Sequence, residues 1–106
     1  MEYRSRRHLA SRDVTLEMDG APNARGHLMD VSEGGAKVAV DAPPPPGTPV
    51  RLEVGRLRLA ARAVWSARGE VGLRFDAPLA RATVEEVSGK PYARAKGGGG
   101  RWMYGG

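Results

Sequence analysis

Between residues 14 and 75 the chain repeatedly places apolar side chains at every second position. Val14, Leu16 and Met18 alternate with polar residues, as do Val38 and Val40, then Val50, Leu52 and Val54, then Leu57, Leu59 and Ala61, and finally Val71, Leu73 and Phe75. A period of two gives one buried face and one wet face, so each run predicts a β-strand lying against a core. The adjacent pair Val64 and Trp65 interrupts the alternation and predicts a bulge or sharp bend in its strand.

Turn-forming residues separate these runs: Gly20-Ala-Pro-Asn23, Ser32-Glu-Gly-Gly35, Pro43 through Gly47, Gly55, and Arg68-Gly69. The proline run offers no N–H donors to a ladder and is expected outside the sheet as a stiff loop. Short, closely spaced strands of this kind predict an antiparallel all-β barrel or sandwich. After Pro78, the stretch from Leu79 to Val87 predicts a short helix that buries Leu79, Val84 and Val87 and is ended by Ser88-Gly89. The tail from Lys90 combines a glycine run with Trp102 and Tyr104 and is expected to be flexible.

A chain of 106 residues has room for one domain. With no cysteine, disulfides, thiolate catalysis and thiolate metal sites are excluded, and the cytoplasm is the expected compartment. The charged start, MEYRSRRHLASRD, has no apolar signal-peptide core, and no apolar run approaches the ~18 residues of a membrane-spanning helix, so no membrane insertion is expected. Seventeen Lys+Arg against twelve Asp+Glu leave a net charge of +5, which favours anionic partners. The excess is carried mainly by arginine, whose planar guanidinium pairs with phosphate in bidentate fashion and stacks on bases.

The most informative segment is Asp30-Val-Ser-Glu-Gly-Gly35 at the end of the second strand. Asp, Ser and Gly are ordinary turn formers, and alone they need do no more than close a strand. Asp30 and Ser32 have the same strand parity, so in an extended chain both project to one face, whereas His27 has the opposite parity. That parity, and the lack of a nucleophile-elbow pattern around Ser32, argue against a His27–Asp30–Ser32 triad and leave His27 an ordinary strand residue. With two histidines and no clustered carboxylates, no metal site is expected. Trp65 and Phe75 read as packing residues, and Arg74, between inward Leu73 and Phe75, should face outward.

An arginine-rich arm, the DxSxxG at Asp30, Ser32 and Gly35, and a closing pattern of Ala63-Val-Trp65 followed by Gly72-Leu-Arg-Phe75 occur in one order. Together they resemble the PilZ domain family over roughly residues 4 to 80. The resemblance implies an all-β, antiparallel PilZ-like barrel of about six strands with a short C-terminal helix. The expected organisation is a flexible basic arm at 1–11, the barrel and helix at 12–89, and the tail at 90–106. In that family an RxxxR arm and the DxSxxG element clasp cyclic di-GMP, with no catalysis and no cofactor. The carboxylate of Asp30 suits guanine N1 and N2 donors, the Ser32 hydroxyl adds a polar contact, and Gly34 and Gly35 let a ligand approach the backbone.

The arm departs from the family pattern. Arg12 fits the second arginine of RxxxR, but His8 stands four places upstream and Arg7 one place further. In an extended chain, residues five apart point in opposite directions, so Arg7 joins Arg12 on one ligand only if the arm turns between them. Arg6 and Arg4 are further candidates for the empty place. The expected ligand site comprises Arg6, Arg7, His8, Arg12, Asp30, Ser32, Gly34, Gly35 and Arg74.

Three functions are compatible with these residues. The first is a bacterial receptor and adapter whose arginine arm orders on cyclic di-GMP and creates a surface for an effector protein. The second is a PilZ-like adapter that binds its protein partner without the nucleotide. The third is a small basic barrel for single-stranded nucleic acid, disfavoured because few aromatics are interleaved with the basic residues.

Overall fold

The computed structural model describes residues 8–89. The expected arm as far as residue 7, including Arg6 and Arg7, and the tail from residue 90 lie outside the described residues. Six strands, β1 (His8–Met18), β2 (Ala21–Val31), β3 (Gly35–Val40), β4 (Pro49–Val54), β5 (Leu57–Ala67) and β6 (Glu70–Phe75), precede a helix, α1 (Arg81–Ser88). The strands pair antiparallel and close into a barrel in the order β1-β2-β3-β6-β5-β4. The expected fold class is therefore the observed one. Among the described residues no helix is long and apolar enough to cross a membrane.

The alternating runs become the lumen of the barrel. Leu16, Leu28, Val31, Val38, Leu52 and Val71 are fully buried, and Val84 and Val87 of α1 join the same core. An eight-residue helix is marginal alone, so packing of these two valines over the barrel end holds it in place. Gly89 ends α1 in the left-handed conformation, φ 77°, and donates its N–H to the Glu85 carbonyl.

Three local differences from the sequence reading have physical causes. First, β1 begins at His8, because the polar stretch before Val14 is held by pairing with β2. Second, only Asp19-Gly20 turns, with Gly20 at φ 76°, and Ala21 already pairs with Met18. Pro22 is tolerated in β2 because it lies beside a register shift, where a ladder donor is not required. Third, β1 and β2 carry further irregularities around Ala10-Ser11 and Met29.

The bulge expected at Val64-Trp65 is present as a register shift between β5 and β6. The proline run lies outside the sheet, although Pro44 is buried and its carbonyl accepts the Ser66 hydroxyl.

An ion-pair network crosses the outer face of β1, β4 and β5. Arg51 bridges Glu17 and Asp19, and Arg58 bridges Glu17 and Glu53. The Arg58 guanidinium first, helped by a hydrogen bond from the Glu53 carboxyl and by Arg51, holds Glu17 down at about 2 from 4.5. Glu53 moves the opposite way, because it shares that hydrogen bond with Glu17. A depressed carboxyl stabilises the fold above its unfolded pKa and loses that contribution as pH falls through the folded value. Replacing Glu17 with Gln should therefore flatten the loss of stability between pH 4.5 and about 2, read from thermal melts along a pH series. Parallel curves for parent and variant would show that solvent screens the network out.

Candidate functional site

The loop Ser32 to Gly34 joins β2 to β3, and local bonds set its shape. Ser32 N–H donates to the Gly35 carbonyl at 2.8 Å, and the Ser32 hydroxyl accepts from the N–H groups of Gly34 and Gly35 at 3.3 Å each. The loop is also tied to the end of β6 and the segment leading to α1. Phe75 N–H donates to the Gly34 carbonyl at 2.9 Å, and Leu79 N–H to the Glu33 carbonyl at 2.8 Å.

These bonds change the expected roles of two residues. The chain leaves the extended conformation after Val31, so the parity that put Ser32 on the face of Asp30 does not apply, and the Ser32 hydroxyl serves the turn. At Gly35 a Cβ would meet the Leu73 carbonyl oxygen at 2.1 Å. Close approach of β6 thus requires a glycine at this position, whether or not a ligand is present.

Asp30 pairs with Leu9 on one side and Lys37 on the other, while its neighbours Leu28 and Val31 fill the lumen. Cross-strand partners share a face, so Asp30 belongs to the outer surface, where it is only 7% exposed. The ladder continues from Lys37 to Gly72 and on to Trp65. A Cβ on Gly72 would strike the Trp65 indole at 2.1 Å, so the ring lies flat across that glycine and is 40% exposed. Two residues along, a second row runs from Gly35 through Arg74 to Arg62. Arg74 faces outward, as its parity predicts, and Phe75 is buried in the core.

The outer surface of β2, β3, β6 and β5 thus carries a carboxylate, three cationic side chains and an indole face. It can accept from the donor edge of a base, neutralise phosphate, and stack on a ring. Lys37 and Arg62 were not picked out from the sequence. The parity of Lys37 between Ala36 and Val38 already put it on this face, whereas Arg62 becomes relevant only through its cross-strand partner Arg74.

The two positions of the RxxxR spacing, His8 and Arg12, lie elsewhere. Arg12 pairs with lumenal Leu28, and its Nη1 donates to the Glu86 carbonyl at 2.7 Å and the Val87 carbonyl at 3.2 Å, at the C-terminus of α1. His8 pairs with lumenal Val31 and is buried, so an arginine there, although correctly spaced from Arg12, would be buried too. The structure therefore groups Asp30 and Arg74 with the Ser32–Gly35 loop on or beside one face and places Arg12 and His8 on the lumen side.

A separate groove of about 610 Å³, lined by Asp13, Thr15, Arg25, His27, Asp41 and Glu53 among others, shares no residue with this face. Beside it, the Ser11 hydroxyl and His27 Nε2 are 3.0 Å apart, and His27 Nδ1 lies 3.4 Å from Asp13. The order of atoms is that of a hydrolase triad, but the Asp13 side chain is 97% exposed. Water screens a carboxylate in that position, so the three residues form a surface hydrogen-bond chain.

A search of curated proteins found no match. The family model for the PilZ domain matches residues 3–88, a span that runs from the arm through the barrel and α1. With that match covering most of its length, and with a closed six-stranded antiparallel barrel followed by a short helix, this chain belongs to the PilZ domain family, a family of cyclic di-GMP-binding domains.

Proposed function

We propose that this chain is a cyclic di-GMP receptor that signals to an effector protein and has no catalysis of its own. The observation that carries the reading is the row Asp30–Lys37–Gly72–Trp65, with Arg74 in the neighbouring row and the Ser32–Gly35 loop at its end. On this reading Asp30 accepts from guanine N1 and N2, while Lys37 and Arg74 draw the phosphates to the same surface. Gly34 and Gly35 form the floor beside them. The arm, through Arg6, Arg7 and Arg12, closes over the nucleotide, and ordering it builds the surface that the effector reads.

Calorimetric titration of the full chain with cyclic di-GMP tests the reading, with single-stranded oligonucleotide as the parallel titrant. Saturable binding of the dinucleotide alone is the expected result, and binding of the oligonucleotide alone overturns it. Arg12→Ala should weaken the dinucleotide about tenfold. One charge-assisted contact is lost, less the bonds the same guanidinium makes to α1 in the free protein.

One observation favours a protein-binding adapter without nucleotide: Arg12 is already engaged by α1, and His8, at the RxxxR spacing, is buried. Absence of any heat with cyclic di-GMP would select that reading.

A further inference from the structure

Helix α1 has no side-chain hydrogen bond at its N-cap and no basic residue in its last turn. Its C-terminal carbonyls carry the negative end of the helix dipole, and the cation that meets them comes from β1. Arg12 bonds the carbonyls of Glu86 and Val87, and its side chain passes within van der Waals reach of where a Cβ on Gly89 would sit. Those bonds are made on the lumen side of the sheet, beside Leu28, whereas Asp30, one ladder step away, faces outward. A guanidinium that holds these two carbonyls cannot at the same time pair with a phosphate beside Asp30.

We propose that α1 and the cyclic dinucleotide compete for Arg12, so that α1 restrains binding in the free protein and is released when the ligand takes the arginine. The inference rests on the receptor reading above and adds to it the element that responds. Release leaves the last turn of α1 without its cation, and the helix is too short to persist without its contacts. Val84 and Val87, buried in the free protein, then become available to an effector. Coupling of this kind is reciprocal: whatever loosens α1 must tighten the ligand by the same factor.

Gly89→Ala provides the test, because φ 77° strains an alanine there while the surrounding space remains adequate. Calorimetry on the full chain should show cyclic di-GMP bound about fivefold more tightly by Gly89→Ala than by the parent, with the gain largely reversed in Gly89→Asn, since asparagine tolerates this conformation. Amide hydrogen exchange across residues 84–89 should quicken about fivefold when the parent is saturated with cyclic di-GMP. In Arg12→Ala the same amides should exchange fast with or without ligand.

Binding by the parent with unchanged or slower exchange in α1 overturns the competition and leaves the receptor reading standing. So does weaker binding by Gly89→Ala. No binding by the parent overturns both together, which distinguishes the two failures.

Discussion

Gly35→Ala is expected to destabilise the barrel by about 2–3 kcal/mol, read as a lower urea midpoint by circular dichroism. The added methyl would sit 2.1 Å from the Leu73 carbonyl oxygen and 3.2 Å from its carbon. Both are backbone atoms, so no rotamer change relieves the contact and β3 must move away from β6. That movement strains the bonds from Phe75 N–H to Gly34 and from Ser32 N–H to Gly35, which set the loop at the end of the candidate site. Nucleotide affinity should fall with the fold. An unchanged midpoint would mean that the two strands separate without cost, contrary to the packing described.

Asp30→Ala should behave in the opposite manner, with binding lost and the fold kept. If its carboxylate pairs with the guanine donors, removing it costs roughly 1–3 kcal/mol, a fall in affinity of about 5- to 150-fold. Its side chain lies on the outer surface and fills no part of the lumen, so the thermal midpoint should shift far less than for Gly35→Ala. Unchanged affinity in calorimetry would remove Asp30 from the site and with it the proposed guanine contact.

How much of this was legible in the chain depended on the range of the interactions involved. Five strands were visible because their inward positions are apolar and regularly spaced. β2 was poorly marked, since in APNARGHLMDV only Leu28 and Val31 are core apolar residues and the irregularity at Met29 breaks the period. The start of β1 was hidden for a similar reason: residues 8–13 are mostly polar, and pairing with β2 makes them a strand. The bulge at Val64-Trp65 could be read because it disturbs a pattern that is otherwise strict.

At the site, the outward facing of Arg74 followed from parity alone. The engagement of Arg12 did not, because its partners lie 74 and 75 residues away on a helix whose position depends on the whole barrel. Nor did the reason for Gly35, which is the carbonyl of a residue on another strand.

The structural part played by the DxSxxG element has a consequence for how such a domain can change. Ser32 closes a turn on itself and Gly35 admits a neighbouring strand, so two of its three named residues are held by the architecture. A descendant that ceased to respond to its nucleotide would keep both for as long as it kept its barrel. Drift would show first at Asp30, which the lumen does not need, whereas Arg12 is also held by its bonds to α1. On the proposed reading, therefore, the serine and glycine follow the barrel, and the Asp30 carboxylate follows the nucleotide.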